Sequence, residues 1–263
     1  MEEVEKAFSQ YAGKYDQEFS HTPIGKLQRK RVHHYFDKAI EPDHRRILEV
    51  GCGTGEDAKW LAHRGFSVTA TDLSSGMIET AIGKSNVNEK IKFIQCGAMD
   101  IVKRFGNEKF DIVFSDFGAL NCLSPDEMAK WGSTISGMLN TNGKVVLVIM
   151  GRNCKWEQRY YLRKGDRESA FRRRKKNGVE CNIAGTAFTT HYYSPKELAW
   201  YFENDFTLKR VKPVGYFIPP SYLDPYFGKR KMLLGILGIL ESLFSFSFLA
   251  DKADHYYIEL KKK

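Results

Sequence analysis

Three glycines at alternate positions, Gly51, Gly53 and Gly55, follow the apolar run Ile47-Leu48-Glu49-Val50, and an acid, Asp72, closes the next such run, Val68-Thr69-Ala70-Thr71. Glycine permits a sharp turn and lets a ligand lie against bare backbone. Glu56 to Arg64 read as a helix, so the glycines lead straight into a helix start. A helix start offers unpaired N–H groups and the positive end of a dipole to polar ligand atoms. A carboxylate about 20 residues further on is placed to accept hydrogen bonds from ribose hydroxyls. The chemistry this spacing points to is the capture of a nucleoside-bearing ligand. The series Glu49-x-Gly51-x-Gly53-x-Gly55 departs from the Gly-x-Gly-x-x-Gly dinucleotide fingerprint.

These residues need a sheet to hold them. Ile47–Val50, Val68–Thr71, Ile91–Gln95, Phe110–Ser115 and Lys144–Met150 are short apolar runs, and 56–64, 75–84 and 125–139 between them read as helices. Strands alternating with helices give right-handed crossovers and a parallel sheet. The unbroken run Val145–Ile149 suits a strand covered on both faces. Ligands of such sheets bind beyond the carboxyl ends of the strands. The predicted class is α/β: a doubly wound, mostly parallel seven-stranded sheet with the last strand antiparallel. Helices cover both faces, and an insert separates strands five and six.

Composition narrows the setting. The apolar share of 42% and charged share of 28% are those of an ordinary globular protein. Cys52, Cys96, Cys122, Cys154 and Cys181 are scattered without a Cys-x-x-Cys pair, which argues for a reducing compartment and against a zinc site. Met1-Glu2-Glu3 shows no basic, apolar leader, so a cytoplasmic location is the expectation. The net charge of +9 is local: residues 152–176 carry eleven Lys or Arg against three acids, a net +8.

The full series around Gly51–Gly55, with Asp72 after it, closely resembles motif I of the class I S-adenosylmethionine-dependent methyltransferases. The resemblance implies S-adenosylmethionine as cofactor and S-adenosylhomocysteine as product. It implies that Glu49, Gly51, Cys52, Gly53 and Gly55 form the glycine loop, with Asp72, Leu73 and Met77 beside the ribose. Ala98, Met99 and Asp100 match the adenine-binding loop. Ser115, Asp116 and Phe117, at the end of strand four, would sit under the sulfonium and near the acceptor. Phe8-x-x-Tyr11-Ala12-x-x-Tyr15-Asp16 resembles a lid helix whose tyrosines, here Tyr11 and Tyr15, close over the methionine end of the cofactor. His33 and His34, in a basic helix, read as solvated rather than metal-binding, and no metal site is expected.

The domain reading divides the chain into an N-terminal helical lid (1–40), a cofactor core (41–150), an acceptor-side insert with its following strand and helix (151–205), and closing strands with an apolar helical segment (206–263). Forty residues between strands five and six exceed an ordinary connection. Phe188–Tyr193 reads as a strand and Ser194-Pro195-Lys196-Glu197 as a capped helix start. Phe206–Phe217 reads as strand six and His255–Leu260 as strand seven. The apolar stretch Met232–Ala250, entered through Lys229-Arg230-Lys231, approaches spanning length. Glu241 in its middle and three serines argue against a span. A core helix on the sheet is the first expectation, with a wall of the acceptor pocket or an interfacial helix as functional alternatives.

Methyl transfer from a sulfonium needs alignment above all, worth about 7–11 kcal/mol, and no enzyme nucleophile. A base is needed only for a poorly ionised hydroxyl acceptor. His191 and Asp116 are the candidates, His191 because imidazole titrates near neutrality. The first expected function is methylation, at oxygen, of a small lipophilic or aromatic acceptor, with peripheral membrane contact as a further option. The alternatives are an RNA methyltransferase using the basic 152–176 segment and a cofactor-binding protein without catalysis. Gly53→Val is expected to abolish cofactor binding in calorimetry while the circular dichroism spectrum stays that of the folded chain; normal binding would mean that motif I is misplaced.

Overall fold

Alternate residues of the central strands feed two separate cores. In the computed structural model, which describes residues 1–86 and 90–263, β5 (Leu139–Met150) sends Val145, Leu147 and Ile149 to one face and Val146 and Val148 to the other. The side-chain period of two makes this partition, and burial on both faces explains the unbroken apolar run. One core packs under α6 (Pro125–Ile135) and α9 (Pro195–Phe202), with Trp131 and Phe202 ring to ring at 6.0 Å. The other packs under α2 (Pro23–Asp37), α3 (Glu56–His63) and α4 (Ser75–Gly83) through Phe36, Leu61 and Ile78.

The main sheet has seven strands. With β1 (Arg46–Val50), β2 (Ser67–Asp72), β3 (Ile91–Gln95), β4 (Phe110–Ser115), β8 (Phe206–Val214) and β9 (His255–Lys262), the order is β3-β2-β1-β4-β5-β9-β8. The five predicted strands from Ile47 to Met150 pair in parallel, and β9 runs antiparallel between β5 and β8, as the sequence reading expects. Asp111 fastens one end of this array by accepting the backbone N–H groups of Arg45 and Arg46 at 2.7 and 2.8 Å.

Three expectations need correction. The strand read at 188–193 is shifted and ends at Thr190: β7 (Thr186–Thr190) pairs with β6 (Val179–Ile183) in a two-stranded hairpin apart from the main sheet. Ala184 and Gly185 both take positive φ there, 52° and 84°, the geometry of a tight two-residue hairpin turn. Strand six stops at Val214 rather than Phe217, because the N–H groups of residues 215–218 turn to Glu241 instead of a neighbouring strand. The 232–250 stretch is not a core helix. Its helix α11 (Lys231–Leu243) buries Leu234 and Glu241 but leaves Met232, Ile239 and Leu243 at least 60% exposed. No helix among the described residues is long and apolar enough to cross a membrane.

The basic segment is exposed over much of its length but is pinned at Arg173. It spans α7 (Lys155–Arg163), α8 (Arg167–Phe171) and the turn after them. Arg173 is buried between Glu157 and Asp254, at 2.8 Å from each. Arg172 also pairs with Glu157 (2.9 Å), Arg152 with Glu197 (2.8 Å) and Lys175 with Glu168 (2.9 Å). Burial alone would raise the Asp254 carboxyl, but His255 and Arg173 hold it well below the usual carboxylate range. A lowered carboxyl stabilises the fold above its unfolded pKa, and that stability is lost as pH falls through the folded value. Arg173→Met would remove the guanidinium that Glu157 and Asp254 share, leaving Glu157 to Arg172 alone. It is expected to cost about 3–5 kcal/mol at pH 7 in urea denaturation. The difference from the parent should shrink as pH falls, because Asp254, no longer held low by Arg173, takes up a proton in the variant more readily than in the parent. A pH-independent difference would mean that packing, not charge, sets the loss.

Candidate active site

The residues predicted to bind a ligand meet at the carboxyl edge of the sheet, around a cavity of about 280 Å³. Gly51, Gly53, Asp72, Leu73, Met77 and Ala98 line one part of it, with Asp116 and Phe117 at the end of β4. Gly51 requires glycine: its φ is +74°, and a Cβ there would lie 2.2 Å from the Cβ of Ala119. Gly53 has φ +52°, and a Cβ there would meet only the Tyr15 ring, at 3.7 Å. The backbone at Gly53 is therefore open to a ligand. Phe117 also holds a positive φ of 42°, a strained state for a bulky residue.

Asp72 anchors the glycine loop. Its Oδ2 accepts from Gly53 N–H at 2.8 Å and its Oδ1 from Ser74 N–H at 2.9 Å. Burial nevertheless raises its carboxyl. Glu49 and Asp116 are buried, and their Oε2 and Oδ2 atoms have no hydrogen-bond partner. Burial, then the charge of Asp57, pushes both carboxyls well above the usual range. Burial would raise Asp57 too, but Arg29 and His33 hold it low. Arg29 pairs directly with Asp57, and its guanidinium sits 4.9 Å from the Phe117 ring centre. His33 Nε2 lies 2.7 Å from Asp57, and its ring stacks on Trp60 at 3.7 Å. His33 is thus part of the site's foundation, where the sequence reading has it solvated. Arg29 and Asp57 carry no motif signal; only the fold brings α2 beneath the glycine loop.

The roof comes from two segments far apart in the chain, the N-terminal helix and the β6–β7 hairpin. α1 (Glu2–Tyr15) contributes Met1 just ahead of it, Val4, Phe8 and Tyr15 to the cavity wall. It crosses α4 at Gly76, where a Cβ would lie 2.7 Å from Ser9 O, and Ser9 Oγ sits 2.8 Å from Ser74 Oγ. Phe8 meets Phe188 of the hairpin at 5.7 Å between ring centres. Of the two predicted lid tyrosines, Tyr15 lines the cavity, whereas Tyr11 donates its hydroxyl to Glu18 at 2.8 Å. Asp16 ties this region to the glycine loop by accepting from Thr54 at 2.6 Å.

Glu49, Cys52, Gly55, Met99, Asp100 and Ser115 lie where expected in the strands and loops but do not line the cavity. His191 does not line it either: Thr190 and Tyr192 do, and alternation turns the residue between them away. Its ring lies near Gly178, where a Cβ would come within 3.0 Å of it, and its Nδ1 has no partner. Burial lowers its pKa. Asn121 fixes its backbone, accepting His191 N–H at 2.7 Å and donating Nδ2 to His191 O at 2.5 Å. The hairpin residues Cys181, Ile183 and Phe188 line the cavity without any sequence motif to announce them, and the stretch 229–250 contributes nothing to it.

An orphaned acidic floor, an open glycine backbone and a ribose-competent carboxylate fit a cofactor that carries both a sulfonium and an ammonium charge. Together with the strand order, they define the class I S-adenosylmethionine-dependent methyltransferase fold. Residues 47–143 match the family model described as a methyltransferase domain, and S-adenosylmethionine is the cofactor of that domain. The chain is 28% identical over 150 residues to a demethylmenaquinone methyltransferase of Clavibacter sepedonicus, covering 55% of this chain and 57% of that one. It is 34% identical over 113 residues to the putative methyltransferase YqeM of Bacillus subtilis, covering 43% and 42%. The chain thus spans about half the length of the curated relatives it matches. A solved structure of DhpI with SAH shares the fold at a TM-score of 0.62, with 16% identity over 99% of this chain and 96% of that one.

Asp72→Ala is expected to weaken S-adenosylmethionine binding by about 10²–10⁴-fold in calorimetry, the loss of two charge-assisted hydrogen bonds at about 1.5–3 kcal/mol each. Unchanged affinity would remove Asp72 from the ribose.

Proposed function

We propose that this chain transfers the methyl group of S-adenosylmethionine to a hydroxyl oxygen of a small lipophilic or aromatic molecule. The observation that carries this reading is the apolar lining of the cavity. Its wall includes Phe8, Leu120, Leu123, Met150, Ile183 and Phe188, and no Lys, Arg or His lines the cavity among the described residues. Small-molecule sites are mostly apolar with a few placed polar groups. A wall without cations offers nothing to a phosphate backbone. In the basic 152–176 segment Arg152, Arg172 and Arg173 are held by Glu197, Glu157 and Asp254, and none of its cations lines the cavity. The Clavibacter relative's name, which specifies demethylmenaquinone, agrees with a small-molecule acceptor.

The roles follow from the geometry. S-adenosylmethionine supplies the methyl carbon on a positively charged sulfur. Asp116, in the cavity wall, carries a carboxyl whose ionised form a neighbouring cation favours, and the Tyr15 and Phe117 rings in that wall favour a cation. Phe8 against Phe188 keeps water out above. Asp116 Oδ2, without a partner, takes the acceptor's proton. Its raised pKa makes it a stronger base than an ordinary carboxylate. His191, off the cavity, takes no part.

The test is transfer of radiolabelled methyl groups to a panel of hydroxylated lipophilic aromatics, with total tRNA in parallel. Label is expected in the organic phase and absent from tRNA. Asp116→Asn should lower kcat by about 10²-fold, and His191→Ala should leave it within twofold. The parent's rate should rise with pH through a value above the usual carboxylate range, because Asp116 must lose its proton to act. Label in tRNA alone would overturn the proposal, and a flat pH profile would remove Asp116 as base.

A further inference from the structure

The structure points to a second binding surface, on the side of the molecule built by α2, β8 and α11. We propose that the outer face of α11, continued through residues 244–248, docks on an anionic phospholipid bilayer, with the adjoining cationic cavity receiving a lipid phosphate.

α11 is apolar on both sides. Its inner side packs Leu234 against Ile24 and Ile218 and brings Leu237 to the same cluster. Its outer side carries Met232, Ile236, Ile239 and Leu243 at i, i+4, i+7 and i+11, exposed by 83%, 51%, 60% and 68%. Phe244, Phe246 and Phe248 extend the ridge, the last two rings stacked at 5.5 Å. A helix without a polar outer face is not finished as a water-exposed surface. Thirteen residues reach about 20 Å, too short to span a bilayer, so the helix would lie in the interface.

Charge selects the partner. Lys229, Arg230 and Lys231 stand exposed at the start of α11. Beyond its end, a cavity of about 330 Å³ is lined by Arg31, Lys38, Arg210, Lys212 and His34, with Tyr35, Ser242 and Ser245 completing the wall. No acid lines it among the described residues. Glu259 partly answers Arg210 from behind at 3.5 Å, and Asp37 is engaged by Arg64 at 2.8 Å. Burial, then the neighbouring cations Arg210, Lys38 and Arg31, lower the Lys212 ammonium, whose Nζ donates to Ser245 O at 2.9 Å. The ridge and the cavity alternate along one stretch: Ser242 and Ser245 face the cavity, while Leu243, Phe244 and Phe246 stand exposed. Between residues 226 and 250 the sole acid is Glu241, and its oxygens are taken by four backbone N–H groups. A second copy of this chain would bring the same cations against these ones, which disfavours self-association and favours an anionic surface.

The experiment is flotation of the full chain with phosphatidylcholine vesicles and with vesicles containing 30% phosphatidylglycerol, in 0.15 M salt. We expect binding to the anionic vesicles alone, weakening as salt is raised. The double variant Lys38→Gln/Lys212→Gln should lose about thirtyfold in affinity. The double variant Ile239→Glu/Leu243→Glu should abolish flotation. All these side chains lie outside the cofactor cavity, so S-adenosylmethionine affinity should be unchanged and serves as the check of folding. Equal binding to neutral vesicles, no binding to either, or flotation untouched by Ile239→Glu/Leu243→Glu would overturn the proposal. So would a dimer in sedimentation velocity that Ile239→Glu/Leu243→Glu dissolves, since the face would then be an interface between copies. This test is independent of methyl transfer, so its failure would leave the acceptor reading standing.

Discussion

Buried negative charge is the constraint around which the site is arranged. Glu49, Asp57, Asp72 and Asp116 gather at the carboxyl edge of the sheet, and Arg29 is the guanidinium that answers them directly. Its pair with Asp57 satisfies one carboxylate and leaves Glu49 and Asp116 with uncompensated oxygens. Such atoms are costly inside a protein. They persist because the surrounding fold fixes them: Glu49 within β1, Asp116 on the turn that strains Phe117, Asp57 at the start of α3. The result is a group of buried carboxyls that burial holds toward the neutral form until a cation meets them.

The N-terminal helix and the insert stand in different relations to those carboxyls. α1 is tied to the cofactor half of the molecule, through Ser9 to Ser74 and through Asp16, just beyond the helix, to Thr54. The hairpin of β6 and β7 pairs only with itself and touches α1 through Phe188. The rest of the insert is stapled to the end of β9 by Arg173, whose guanidinium joins Glu157 to Asp254. The segment that looks most like a polyanion-binding tail is thus, at its centre, an internal tie.

What was legible in the sequence was whatever local rules dictate. The five parallel strands follow from apolar runs, the glycine loop from its spacing, and the α9 start from Ser194 and Glu197, which form the expected capping box. What was hidden depends on contacts between distant segments. Arg29 reaches Asp57 across 28 residues, and nothing near either one announces the pair. His191 read as a candidate base because imidazole titrates usefully, but strand parity decides orientation, and Thr190 and Tyr192 take the inward positions. The 232–250 run read as core because apolar residues are usually buried. Its outer face escapes burial because the inner face alone fills the space beside α2.

Glu241 has a mechanical meaning. Its two oxygens receive the N–H groups of Gly215, Tyr216, Phe217 and Ile218 at 2.6–3.3 Å. A helix held by packing alone can roll about its axis when its surroundings change. One residue of roll turns a helix by about 100°, and would tear all four bonds away together. α11 is keyed, like a shaft with a pin through it. The side it shows to the outside is therefore a fixed property of the folded chain, and no rotation of the helix can hide it.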